Sequence, residues 1–167
     1  MPEIVGLGGP RDRAALQLST RLGNHIANAR RHEMAPDARR ASVRKWASEF
    51  PQARLRSITA TYNCFGMVFG NRRTWVLEEA LELIKNDDGY RMVLTPRVGD
   101  VAIYRRTTDV EHVGIVVEIR SNVAAASHEV LVLSKWGAEG EYLHREDHVP
   151  QLLGRPAEYW TERMEEP

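Results

Sequence analysis

The chain has 167 residues, 43% of them hydrophobic and 28% charged, with a formal net charge of +0. This is enough apolar material for one domain with a real core, and the mean hydropathy of -0.44 is that of a soluble globular chain. The balanced charge leaves no footprint for general nucleic-acid binding, no stretch is long and apolar enough to cross a membrane, and a single cysteine excludes an internal disulfide.

The N-terminus MPEIVGLGGPRDR lacks a basic region followed by a long apolar run, so the expected location is the cytoplasm, or beyond it by a route that needs no signal peptide. Residues 6–10, GLGGP, read as a loop, because a dinucleotide fingerprint would need a third glycine and a preceding strand. Over residues 11–32, Leu18, Leu22, Ile26 and Ala29 recur at helical spacing. Pro36 and Asp37 break and restart the chain, with Asp37 as the expected N-cap of a second helix. Val43, Trp46, Ala47 and Phe50 line its stripe, and Pro51 ends it. The two helices are expected to form an N-terminal extension over residues 1–53, ahead of a domain over residues 54–167. This first third is rich in arginine, including Arg30, Arg31, Arg39, Arg40 and Arg44. Such a face is either simply solvated or a contact surface for a protein partner.

The stretch TYNCFGMVFG, residues 61–70, places Cys64 at the start of a short apolar helix, after Asn63 as N-cap. A further helix is expected over residues 75–85, with Leu77, Leu81 and Ile84 on one face, and NDDG as the turn after it. Beyond Pro96 the pattern becomes strands: VGDVAIY, HVGIVV, VLVLSKW, a fourth near residues 141–144 and a fifth near residues 158–160. Helices followed by an antiparallel run of about five strands is an α+β arrangement.

Cys64 is either a small buried hydrophobe or a nucleophile. A nucleophilic thiol needs its pKa lowered, and a helix N-terminus and a nearby imidazole both do this. His112 opens an apolar strand, which would hold a base rigidly opposite a thiol on a helix tip. Gly66 would let a substrate backbone approach, and Tyr62 would either shape the pocket or pack. If the strands from His112 and to Trp136 form a hairpin, the end of the second lies beside the start of the first. Ser134 then becomes the first choice to orient the imidazole, Lys135 the second, and His144 the third should the next strand fold back alongside. His144 and His148 in HREDH match no common zinc motif, and Asp100 reads as a turn residue. Neither a metal nor an organic cofactor is expected.

The ordered set YNCFG, GDVAIYR and HVGIVV resembles the papain-like cysteine peptidase and amidase superfamily, in its NlpC-type and CHAP-type branch. SKWGAEGEYLH is similar to a segment of a less characterised set of bacterial papain-like domains, which carry Tyr-Asn-Cys, then Ser-Lys-Trp/Leu-Gly, then His. The resemblance spans roughly residues 57–160. It implies a thiol hydrolase acting on an amide or isopeptide bond, with Cys64 as nucleophile and His112 as base, and a peptide, protein or peptidoglycan fragment as substrate. A bacterial amidase effector or toxin is one such enzyme; a catalytically inactive module that binds a protein partner is the alternative. Phe65 departs from the pattern, since NlpC-type enzymes favour a small residue after the cysteine.

Overall fold

The computed structural model describes residues 15–122 and 127–164. The expected loop at residues 6–10, with Arg11 and Arg13, lies outside the described residues. In chain order the elements are β1 (Asn28–Ala29), α1 (Pro36–Glu49), β2 (Arg54–Ser57), α2 (Cys64–Phe69) and β3 (Trp75–Val76). A 3₁₀ turn (Glu78–Ala80) leads into α3 (Leu81–Asp87), followed by β4 (Arg91–Val93), β5 (Val101–Arg106), β6 (Asp109–Asn122) and β7 (Ser127–Lys135). β8 (Glu141–Arg145), a second 3₁₀ turn (Gln151–Leu153) and β9 (Arg155–Thr161) complete the series.

Among the described residues, seven strands form one antiparallel sheet in the order β2-β8-β7-β6-β5-β9-β4, and β1 pairs with β3 apart from it. The fold is α+β as expected, but the sheet has seven strands rather than about five. The two strands that the sequence pattern missed are the sheet's edges. β2 reads RLRS and β4 only RMV, too short and charged to show an apolar alternation.

Both faces of the sheet are covered, which is why its central strands are apolar throughout. On one face Val101, Ile103, Val113 and Trp160 pack under α2 and α3, against Cys64, Phe65, Leu81 and Ile84. On the other, Ala102, Tyr104, Val116, Val130 and Val132 form a second cluster. α1 belongs to a third: its Trp46 stands edge-on to Trp136, with ring centroids 5.3 Å apart, and both pack with Tyr142 and Leu153.

The N-terminal region departs from expectation. The helix expected over residues 11–32 is absent from its described part, where the chain turns at residues 20–24 and then forms β1. Asn28 accounts for this: its side chain accepts from the Leu16 N–H at 2.8 Å and donates to the Leu16 and Ile26 carbonyls at 3.0 and 2.8 Å. Those bonds tie distant backbone together, where a helix would need its own ladder. α1 forms as expected, but it begins at Pro36, with Ala35 as its N-cap and Asp37 in the first turn. The helix expected over residues 75–85 starts only at Leu81, because Val76 is committed elsewhere: its N–H and carbonyl both bond the Asn63 side chain, at 3.2 and 2.9 Å.

Candidate active site

Asn63 fixes the helix that carries the thiol. Its Oδ1 accepts from the Gly66 N–H at 2.8 Å, satisfying a donor that the first turn leaves free. Gly66 is required for packing rather than for substrate approach: a Cβ there would stand 1.8 Å from the Thr74 carbonyl oxygen.

The helix tip meets the sheet where two strands part. The Val116 N–H donates to the Asp100 carbonyl at 2.9 Å, so even-numbered residues in this part of β6 bond towards β5 and odd-numbered ones face β7. The last β6–β7 pair at this end is Gly114 with Ser134; Lys135 pairs with Glu141 on β8 instead. Val113 is thus released from the ladder, and its backbone N–H is turned towards Cys64, where it favours the thiolate. The sulfur occupies the fork between β6 and β7.

His112 lies next to Val113 and is fully buried. It is the cross-strand partner of Tyr104, with the two rings 5.2 Å apart, so its side chain is on the face of the sheet that carries Ala102 and Tyr104 and not, as the sequence led us to expect, on the Val113 face against which Cys64 packs. Neither of its ring nitrogens has a hydrogen-bond partner among the described residues, so no hydrogen bond joins it to Cys64 or to Ser134. Gly114 and Ser134 share its face, and the sheet closes tightly there: a Cβ on Gly114 would stand 2.4 Å from Val132 Cγ1 and 2.9 Å from Ser134 Cβ.

Ser134 is held from two other directions. Its hydroxyl lies 2.7 Å from His144 Nε2 and accepts from Trp136 Nε1–H at 3.2 Å. His144 Nδ1 faces the Arg145 carbonyl at 2.6 Å and must donate to it, which leaves Nε2 as an acceptor for the Ser134 proton. One lone pair of the Ser134 oxygen is left over. β8 does fold back beside β7, as the third choice for an orienting residue required.

Burial dominates the electrostatics. It pushes the Cys64 thiol up to about 11, against the Val113 N–H. It pushes the His112 imidazole down to about 3, with the neighbouring His144 adding to the effect, and His144 down to about 4. The resting site therefore holds a neutral thiol and neutral imidazoles, not an ion pair.

Lys135, Tyr62 and Glu141 lie on the other side of the fork. The Tyr62 hydroxyl donates to Glu141 at 2.7 Å, and Arg72 grips the same carboxylate through two bonds of 2.9 Å. This buried carboxylate fastens the residues before and after α2 to β8. Tyr62 thus has a structural partner.

A family model for the CHAP domain matches residues 41–133. The chain belongs to the CHAP domain family. No curated protein and no solved structure matches it. The CHAP family lies within the papain-like cysteine peptidase and amidase superfamily, and CHAP domains are typically amidases or peptidases, so the match supports a hydrolase in general terms. Cys64 and His112 fall inside the matched region; Ser134, Lys135 and His144 fall beyond it. The match also begins within α1, whose Trp46 packs on the CHAP sheet. Sequence reasoning missed Glu141 and Arg72. The signal available for Glu141 was its position at the head of a buried strand, where an acid needs a partner.

Proposed function

We propose that this CHAP domain is a thiol hydrolase that cleaves an amide or isopeptide bond. The observation that carries the reading is the position of Cys64, on a capped helix tip in the β6–β7 fork beside the strand that bears His112. In this reading the sulfur attacks the substrate carbonyl, and His112, whose ring stands on the opposite face of the sheet from Cys64 in this structure, takes the thiol proton and returns it to the leaving amine only after this end of β6 rearranges. The backbone N–H of Cys64 donates to the developing oxyanion. Water then cleaves the thioester and frees the acid. Ser134, on the same face as His112 and with one lone pair spare, orients the imidazole in this reading once a ring nitrogen comes within bonding distance, which neither does in this structure. The chemistry requires neither metal nor organic cofactor. An apolar groove of about 290 Å³ beside Trp136, lined also by Trp46, Pro150 and Leu153, does not include Cys64 in its lining. A larger polar cleft of about 640 Å³ lies at the far end of the β6–β7 hairpin, around Arg120 and His128, and has no part in this chemistry. Substrates of this class are peptides, proteins and peptidoglycan fragments, as for an amidase effector.

A second reading is favoured by one observation. Cys64 is 6% exposed, and no hydrogen bond links it to His112. A catalytically inactive domain that binds a partner, through the basic surface near Arg39, Arg40 and Arg44, fits that burial. Iodoacetamide separates the two readings. An enzyme is alkylated at Cys64 in the native state, whereas an inactive module reacts only once unfolded.

A further inference from the structure

Lys135 is fully buried at the end of β7. A buried ammonium is costly unless an opposite charge accompanies it. Among the described residues no carboxylate comes within 4.0 Å of its Nζ, and its hydrogen bond goes to the Gly137 carbonyl at 2.6 Å. Three carboxylates lie in its surroundings, and each is engaged elsewhere. Glu141 on β8 is held by Arg72 and Tyr62. Glu139, in the turn before β8, accepts from Trp46, and Glu33, ahead of α1, accepts from the Ala60 N–H and Thr59. Nζ sits 5.3 Å from the ring centre of Tyr62, two residues before the thiol. Lys135 is also the residue that would have paired with Val113, had the ladder continued to the place that Cys64 now fills.

We infer that Lys135 is the charge partner of Cys64: its ammonium balances the negative charge that the sulfur carries once its proton has left. This rests on the reading of Cys64 as the reacting group. It differs from a role for Lys135 in orienting His112, because the lysine is on the face of β7 opposite Ser134. Lys135 favours the thiolate only while protonated. Burial has pushed the amine down to about 8, with Cys64, Glu141, Glu33 and Glu139 opposing that shift, so the cation is present below that pH and fades above it. Thiol and amine therefore titrate as a coupled pair.

The lone cysteine makes the test direct. Protein labelled with ¹³Cβ-cysteine gives one resonance, whose shift against pH reports the ionisation of Cys64 without a reagent having to reach it. Lys135→Arg keeps a cation at all accessible pH, whereas Lys135→Met and Lys135→Gln have none. An opposite charge at close range moves a pKa by about 1–3 units. The thiol midpoint in Lys135→Arg is expected at least about one pH unit below that in either neutral variant, a tenfold difference in thiolate. In the wild type the same curve is expected to show a second inflection where the lysine titrates, which needs no variant to fold. Coincident midpoints, or a wild-type curve with one inflection, overturn the inference. No substrate enters the measurement. Failure to find hydrolysis, or hydrolysis that survives loss of Cys64, defeats the functional reading and leaves this result standing.

Discussion

Replacing Gly66 by alanine reverses a familiar expectation. Within a helix, alanine is favoured over glycine by about 1 kcal/mol, so the substitution ordinarily stabilises. Here the new Cβ would begin 1.8 Å from the Thr74 carbonyl oxygen, and its next neighbours are the Thr74 carbonyl carbon at 3.0 Å and Asn63 Oδ1 at 3.1 Å. The nearest atom is backbone and cannot swing aside. Thr74 is itself fully buried, with its hydroxyl donating to the Ala29 carbonyl at 2.8 Å and to Asn28 at 3.1 Å. Relief must therefore come from moving α2 bodily or from breaking the Thr74 anchors. Overpacking of this kind costs about 1–3 kcal/mol, and loss of a buried hydrogen bond adds about 1–3 kcal/mol. After the helix-propensity gain, a net loss of roughly 1–5 kcal/mol is expected. Urea unfolding of wild type and variant, followed by tryptophan fluorescence, measures it. A Gly66→Ala protein as stable as wild type, or more so, would show that the contact between α2 and the β3 loop is not as close as described.

Glu141→Ala removes the acceptor shared by Tyr62 and Arg72. Because the Arg72 side chain is 42% exposed and can rehydrate, the loss is expected below the usual figure for a broken buried pair, at about 2 kcal/mol or roughly 4–8 °C in Tm by calorimetry. His112 and His144 are kept neutral by burial, with folded pKa values below 6.5, so the unfolded chain takes up their protons first as pH falls. Their contribution to stability is complete above about pH 6.5 and is lost on acidification towards pH 4, by about 1.4 kcal/mol per pH unit per histidine. Chemical denaturation across that range checks it, and a His144→Asn protein should show a shallower slope. Trp46→Ala is expected to cost about 3–5 kcal/mol, since it opens the aromatic cluster around Trp136; a change under 0.5 kcal/mol in urea would mean that α1 is only loosely attached.

The parts of this protein that were legible in its sequence are those whose signal is local. The capping of α2 by Asn63 was readable because an N-cap acts over three residues, and the apolar strands β5, β6 and β7 because both their faces are buried. The hairpin of β6 and β7 was readable too, and it put Ser134 near the start of β6, where the structure pairs it with Gly114. Long-range polar contacts were not legible. Asn28, 12 residues from Leu16, converts an apparently helical pattern into turns and a short strand, and the Asn63 side chain holds Val76 extended where helical spacing begins. Glu141 and Arg72 are 69 residues apart, so nothing in either neighbourhood points to the other. At the site itself, the residue types were readable, but their partners were not. Ser134 was expected beside the His112 nitrogens and bonds His144 and Trp136 instead. The fork that brings Lys135 and Val113 to the thiol depends on where a ladder stops, which periodicity does not encode.

The central claim is that Cys64 performs amide hydrolysis with His112 as its base. The most direct test offers the purified protein a panel of peptidoglycan stem peptides and unfolded polypeptides, and measures newly released amines by mass spectrometry. Wild type, Cys64→Ala and His112→Ala are compared at one protein concentration. Release by wild type is expected, with none above background by Cys64→Ala and a loss of about 10²-fold or more by His112→Ala. Release at the wild-type rate by Cys64→Ala would contradict it.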